Sequence, residues 1–483
     1  MGPPAHATTA TGSDNVTLPR FLKLRSSKSF IIFMVAFAVS TDIFMYGLLV
    51  PVTPTALKTK LGIPEDKTQS WTSILLALYS AAFLVFSPIF GHLADRANSR
   101  KWPLQLGLVI LGVATALLCI GTHMALWVVG RLLQGAAVAV VWAVGLALLV
   151  DTVGEDELGQ ALGYVSMGLS IGVLAGPLVG GVVYEHGGYY AVFGVAFGLI
   201  GIDLVLRLAV IEKKEAARWL APTQPERHAD GTTDCSVVCE ADEPARTPQA
   251  PQPLDDTKRP LRQLATLLRS PRLLVSLWGT FVVSLVLTSF DSVLPLFVEE
   301  VFGWRQTGQG LIFIALVVPH ILDPLIGSLV DRYPHAARFL ISGAFLSATA
   351  PAVCLRLITT DSLDDKILLC ALLTILGLCL ALANTPLMLE VFLAVKAKEA
   401  SLPGGQLLDA NHRGGAVAFA FGLSNMAFAA GSLVGPFFAG YIRQRVAWGT
   451  FAWAMGLVLG ASSVPAALMS GGWISKGLIQ VYV

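Results

Sequence analysis

Long apolar runs separated by short polar breaks occupy almost the whole chain. Twelve of them approach or exceed the roughly 20 residues that an α-helix needs to cross a bilayer. They fall at about 29–52, 71–90, 102–121, 124–149, 161–184, 188–210, 271–298, 306–329, 337–358, 366–394, 415–441 and 447–469, which predicts helices 1 to 12 in that order. One long polar interval, 212–270, divides them into six and six. It is rich in Pro, acids and small residues, a composition that cannot bury a core, so disorder is expected there. The chain therefore reads as an all-α integral membrane protein with twelve transmembrane helices. Its expected parts are an N-tail 1–28, a six-helix bundle 29–211, a linker 212–270, a second six-helix bundle 271–470 and a C-tail 471–483.

Composition agrees: 54% of residues are hydrophobic and 13% are charged, about half the charge of a soluble domain. The net charge of +1 argues against nucleic acid as a partner. The first apolar run is too long for a signal-peptide core and is expected to remain as helix 1. Pro3 and His6 do not suit a myristoylation motif. An even number of spans puts both termini on one side, and cations choose the side. The two tails and the loops after helices 2, 6, 8 and 10 hold about 24 of the 33 Lys and Arg residues, so that side is expected to be cytoplasmic. The loop 151–159 dissents, with Asp151, Glu155, Asp156 and Glu157 and no cation, but acids weigh little in this rule. A glycosylation sequon at Asn15 falls on the same side and carries no expectation. Of six cysteines, Cys119, Cys354, Cys370 and Cys379 lie within spans, and Cys235 and Cys239 lie in the linker. All six are expected to be plain thiols, with no metal site.

Three motifs sharpen this picture. The loop after helix 2 reads GHLADRANSRK, with Gly91, Asp95, Arg96, Arg100 and Lys101, and helix 8 ends in a second copy, GSLVDR, with Asp331 and Arg332. A glycine there lets two helices approach, and an acid beside cations can form an ion-pair latch. Helix 5 carries Gly172, Gly176-Pro177 and Gly180-Gly181, and helix 11 repeats the core as Gly431, Gly435-Pro436 and Gly440. Glycines four apart allow close helix packing in lipid, and the proline permits a bend. Helix 4 carries Gly130-Arg131-Leu132-Leu133-Gln134-Gly135. Together these resemble the signature loop, the antiporter motif and the proton-coupling motif of the twelve-span drug:H⁺ antiporters of the major facilitator superfamily. The resemblance implies a fold of two repeats related by an axis along the membrane normal, with the substrate between them near the midplane. A narrower likeness is to the vesicular amine transporters, through Asp42 followed by Pro51-Val52-Thr53-Pro54, and above all to their fungal relatives. Where the amine transporters carry acids on helices 10 and 11, this chain places Asn384 and Asn425, which weighs against amine substrates and a two-proton stoichiometry.

Charged residues inside spans are costly and need a reason. Asp42, midway along helix 1 and one turn from Tyr46, is expected to face the cavity as a proton or substrate site. Arg131 is the one cation well inside a span, with Gln134 a turn away, and is read either as coupling or as a structural hydrogen bonder. Asp203 and Arg207 are four apart on helix 6 and are expected to pair. Asp291 lies in the outer half of helix 7 and reads as interface-solvated or functional, and His320 and Asp323 share a face of helix 8. Glu390, in the inner third of helix 10, reads as a solvated cavity end or, with Asn384 and Asn425, as part of the coupling or substrate site. The His320–Asp323 pair lacks a third metal ligand and reads as packing or a proton relay. Trp142 is expected to pack, with stacking on a substrate as the alternative.

The resulting expectation is a secondary transporter, a proton-coupled antiporter that exports a small, largely apolar or weakly charged organic molecule. Its partners are that substrate, protons and the bilayer, with a monomer expected. Uptake by symport or facilitated diffusion is one alternative, and a non-transporting membrane sensor is another. No phosphate-binding loop, zinc-protease motif or soluble catalytic domain is visible, so no enzyme and no cofactor are expected. The plasma membrane is the expected location, with vacuolar or vesicular membrane as the alternative.

Overall fold

The computed structural model describes residues 21–97, 99–212, 267–304, 306–400, 417–445 and 447–471. Asn15, Cys235, Cys239 and most of the polar interval lie outside them. The described residues are helical with no strand, as hydrocarbon demands of a chain that must satisfy its own backbone. The spans are α1 (Lys28–Leu49), α2 (Glu65–Asp95), α3 (Lys101–Ile120) and α4 (Met124–Val153). A single helical stretch follows, Leu158–Ala209, of 52 residues. It is broken at Gly188, whose φ of 74° suits a residue without a Cβ, so it makes two spans: α5 (158–187) and α6 (189–209). Then come α7 (Pro271–Phe302), α9 (Ala336–Cys354), α10 (Leu363–Ala400), α11 (Val417–Arg445) and α12 (Trp448–Met469). Between α7 and α9, α8 is built in three pieces: Gln306–Val317, a 3-10 turn Val318–Leu322, and Asp323–Arg332. Pro319 and Pro324 flank the point where the hydrogen-bond pattern changes, which explains why this helix alone among the described spans is interrupted by a 3-10 turn in mid-course. Among the described residues, eleven stretches are thus long and apolar enough to cross a membrane, and the break at Gly188 divides one of them in two.

The two halves repeat the same packing. In the first, α5 lies along α1 through its glycine row: a Cβ on Gly172 would meet the Ser40 carbonyl oxygen at 2.6 Å, and one on Gly176 would meet the Phe44 carbonyl oxygen at 2.8 Å. In the second, α11 lies along α7, where a Cβ on Gly435 would meet the Leu285 carbonyl oxygen at 2.7 Å. Gly181 and Gly440, the last glycines of each run, face open space. The halves meet along two seams, α2 against α11 and α5 against α8. Both seams are tight at the end that carries the GHLADR and GSLVDR sequences, called the basic end below. There Gly91 lies against Ala418, and Gly159 lies against Gly327. Toward the other end an apolar groove between α2 and α11 is lined by Ser73, Ile74, Ala77, Leu433 and Phe437.

Candidate functional site

The centre of the molecule holds polar side chains that apolar surroundings leave without partners. Asp42 on α1 is fully buried, and neither carboxylate oxygen has a hydrogen-bond partner. Tyr79 of α2 stands within electrostatic reach of it. The Tyr79 ring lies 4.6 Å from that of Tyr46, and the Arg131 guanidinium of α4 sits 5.9 Å over the Tyr46 ring. Arg131 Nη1 donates to Gln134 Oε1 at 3.0 Å, while its Nε and Nη2 find no partner. The Tyr79 hydroxyl, Gln134 Nε2, Thr41 Oγ1, Trp142 Nε1 and Asn425 Nδ2 are likewise buried and unpaired. Buried polar groups are normally satisfied, so a concentration of this kind marks a place where a polar ligand or water belongs. An aromatic wall crosses from one half to the other: Trp142 of α4 stacks at 6.1 Å on Phe428 of α11 and meets Phe83 of α2 edge-on at 6.2 Å.

Tyr79 is thus the group in electrostatic reach of both Arg131 and Asp42. Arg131 interacts electrostatically with Tyr46 and Tyr79, whereas the charges acting on Asp42 are those of Arg207 and Asp203 on α6. That pair is fully formed, with Arg207 Nε donating to Asp203 Oδ1 at 3.0 Å and Arg207 Nη1 to the Leu104 carbonyl at 2.6 Å. Asp291 of α7 is within electrostatic reach of Tyr46.

The basic end is shut by two matching caps. Asp95, the last residue of α2, accepts from the backbone N–H groups of Ala418 and Phe419 at 2.9 and 2.8 Å. Those donors are the free amides of the first turn of α11, where a carboxylate also meets the positive end of the helix dipole. Asp331 of α8 does the same for α5, accepting from the N–H groups of Gly159 and Gln160 at 2.7 and 2.8 Å. Each acid thus crosses to the opposite half. The cations stay at home: Arg100 binds Asp95 and Asp151, and Lys101 Nζ donates to the Val210 carbonyl. Arg96 lies beside His92, and Arg332 sits 5.6 Å over the Tyr333 ring. The acidic loop that dissents from the charge rule is neutralised from the same end, Asp151 by Arg100, Glu157 by Lys28 and Glu155 by Lys396 across the seam.

Residues 32–406 match the Major Facilitator Superfamily across most of the chain. The chain belongs to that superfamily. Within it, the chain is 34% identical over 453 residues to the MFS-type transporter ppzB of Metarhizium rileyi, covering 88% of this chain and 92% of the relative. It is 24% identical over 308 residues to multidrug resistance protein 2 of Bacillus subtilis, covering 62% of this chain and 68% of the relative. The crystal structure of the human organic anion transporter MFSD10 (TETRAN) superposes with a TM-score of 0.60 at 14% identity, over 91% of this chain and 99% of that one, and shares the fold.

Asp42, Arg131, Gln134 and Asn425 are all buried, each with at least one unpaired polar atom. Asn384 faces the α5–α8 seam instead, where its Nδ2 donates to Ser166 Oγ at 2.9 Å. Glu390 is held near the basic end by Arg272 at 2.6 Å and by the Gly471 N–H at 2.5 Å. Gly172, Gly176 and Gly180 pack on α1, Pro177 lies against Gly47, and Gly181 packs on nothing. Tyr79, Ser166 and Phe428 also belong to the interior and carry no sequence motif. Tyr79, a hydroxyl midway along an apolar span, is the one whose position alone could have pointed to it.

Proposed function

We propose that this facilitator is a proton-coupled antiporter that exports a small organic molecule by alternating access. The observation that carries the proposal is Asp42, a carboxyl sealed from water with both oxygens free, in electrostatic reach of Tyr79, whose hydroxyl is also unpaired, with the partly unpaired Arg131 beyond it. A carboxyl shielded from water favours its neutral form, so it can take a proton from one side and release it when the cavity opens to the other. Substrate and proton would then occupy the site alternately as the halves rock about it. The Trp142–Phe428 wall suits a flat, largely apolar substrate, and the unpaired donors suit a few acceptor groups on it. The glycine motif on α5 and the multidrug-resistance relative support export. The basic end is taken as cytoplasmic, which makes the described state outward-facing, in the plasma membrane or alternatively an internal one.

The test is flux in liposomes of purified protein under an imposed pH gradient, with a panel of fluorescent planar organic molecules. Export predicts substrate movement against the proton gradient's direction, together with stoichiometric alkalinisation of the proton-rich side. Movement of proton and substrate in the same direction would replace antiport by symport. Substrate movement that ignores the gradient would make the protein a facilitator.

A further inference from the structure

A second titratable cluster lies on the α5–α8 seam, apart from Asp42. His320 and Asp323 are 4% and 0% exposed, with His320 Nδ1 at 3.1 Å from Asp323 Oδ2. His320 lies in the 3-10 turn of α8, and Asp323 starts the α-helix that follows. The same Asp323 oxygen accepts from the hydroxyl of Ser166, on α5 in the other half. Ser166 in turn accepts from Asn384 of α10, so the chain of bonds runs from α8 to α5 and back to α10. Asp323 Oδ1 is buried with no partner. The backbone leaves no room for drift, since a Cβ on Gly163 of α5 would run into the Asp323 carbonyl and Pro324. The network therefore exists only while the seam is closed.

We infer that the His320–Asp323 pair is a second proton-carrying site, which binds one proton when the α5–α8 seam closes and gives it up when the seam opens. The inference rests on the antiporter reading and adds a carrier to it. The balance is simple. In an open, watered seam the pair can exist as a carboxylate and a neutral imidazole, net charge minus one. In the closed seam an uncompensated charge beside an unpartnered oxygen is costly. One added proton removes it, either as a carboxylic acid on Oδ1 or as an imidazolium paired with the carboxylate. His320 stands one turn nearer the opposite end than Asp323, which places it as the relay from that side. The interrupted α8 supplies the hinge that would let the pair part from Ser166.

The groups that face the pair are few. From α5 it is Ser166, with the exposed Tyr164 two residues before it. From α10 it is Asn384, with Glu390 six residues on and already held by Arg272. The 306–317 piece of α8 brings no charged residue, and farther along α8 Asp331 caps α5.

The experiment reads seam closure without any substrate. Spin labels replace the exposed Asp156 and Tyr333 in a cysteine-free, Asp42→Asn protein in lipid nanodiscs, and the closed-to-open ratio is followed by double electron–electron resonance between pH 5 and pH 9. The ratio should rise on acidification, by up to about tenfold per pH unit for one linked proton. Asp323→Asn should abolish that slope and leave the seam closed at every pH. His320→Gln should keep the slope but move its midpoint, and Ser166→Ala should keep the slope while lowering the closed population throughout. Asp95 and Asp331 are present in all these proteins, so the difference in slope belongs to the pair. An unchanged slope in Asp323→Asn, or an unchanged midpoint in His320→Gln should Asp323→Asn fail to fold, overturns the inference. Since no flux is measured, a failure of antiport in liposomes and a failure of this site give different results.

Discussion

Asp42 is set apart from the other buried acids by what it lacks. Asp203 has Arg207, Glu390 has Arg272, and Asp95 and Asp331 each have two backbone amides, whereas both Asp42 oxygens are unpaired. Arginines and backbone amides favour the ionised form of the acid they bind, whereas a carboxyl without such partners is free to change. Asp42→Asn should therefore abolish pH-driven export while leaving expression and thermal stability near wild type, and Asp42→Glu should retain partial activity with a displaced pH optimum. Flux under a pH gradient, read beside the thermal midpoint, checks both. Normal gradient-driven export by Asp42→Asn would move the carrier elsewhere, with the exposed Asp291 as the next acid to replace.

At the scale of the helices, the glycine rows are selective about which faces they keep bare. Gly176 is pressed against the backbone of α1, while Gly181, five residues on, faces open space. Gly176→Val should cost about 1–3 kcal/mol from overpacking alone and lower the thermal midpoint with it. Gly181→Ala should change it little, and a comparable loss in both variants would mean that the row acts through flexibility instead. The spans were legible in the sequence because hydrocarbon imposes one local rule, enough apolar residues to cross. The long-range repeat was legible because the glycine-proline core and the GHLADR pattern recur in order. The caps were not: Asp95 beside Arg96, Arg100 and Lys101 reads as an ion pair, and only the fold brings the first amides of α11, more than three hundred residues away, to that carboxylate. Nor does anything in the local sequence say that Ser166 meets Asp323, or that Asn384 turns to the seam while Asn425 stays at the centre.

For the whole molecule, alternating access as proposed would make the two seams at the basic end set the balance between open and closed. A carboxylate at a helix N-terminus contributes about 0.3–1 kcal/mol, and up to about 2 when partly buried. Asp95→Asn should then shift the closed-to-open ratio by roughly five-fold per kcal/mol lost and slow turnover, with expression near normal. Asp331→Asn should act in the same direction, and the paired variant should shift the ratio by about the product of the two. Cross-seam label distances measure this, and loss of protein in place of a shifted ratio would make the caps part of the fold. The side of the membrane has its own test. Protease added to intact cells should spare 212–270, and cleavage there would invert the assignment.

The caps have one more consequence. The first half offers an acid at the end of α2 and a helix end at α5, and the second half offers an acid at the end of α8 and a helix end at α11. Each takes what the other gives, which is the contact that two identical subunits make about a two-fold axis. A seam of that kind would be satisfied equally well by two copies of one six-helix ancestor. Whatever breaks that equivalence must come from contacts with no mirror image among the described residues. The Asp323–Ser166 bond is one, because the first half has no acid at the matching place on α2, where Ser87 stands before Pro88. The Lys396–Glu155 bridge is another. These are places where the duplicated parts have ceased to be interchangeable.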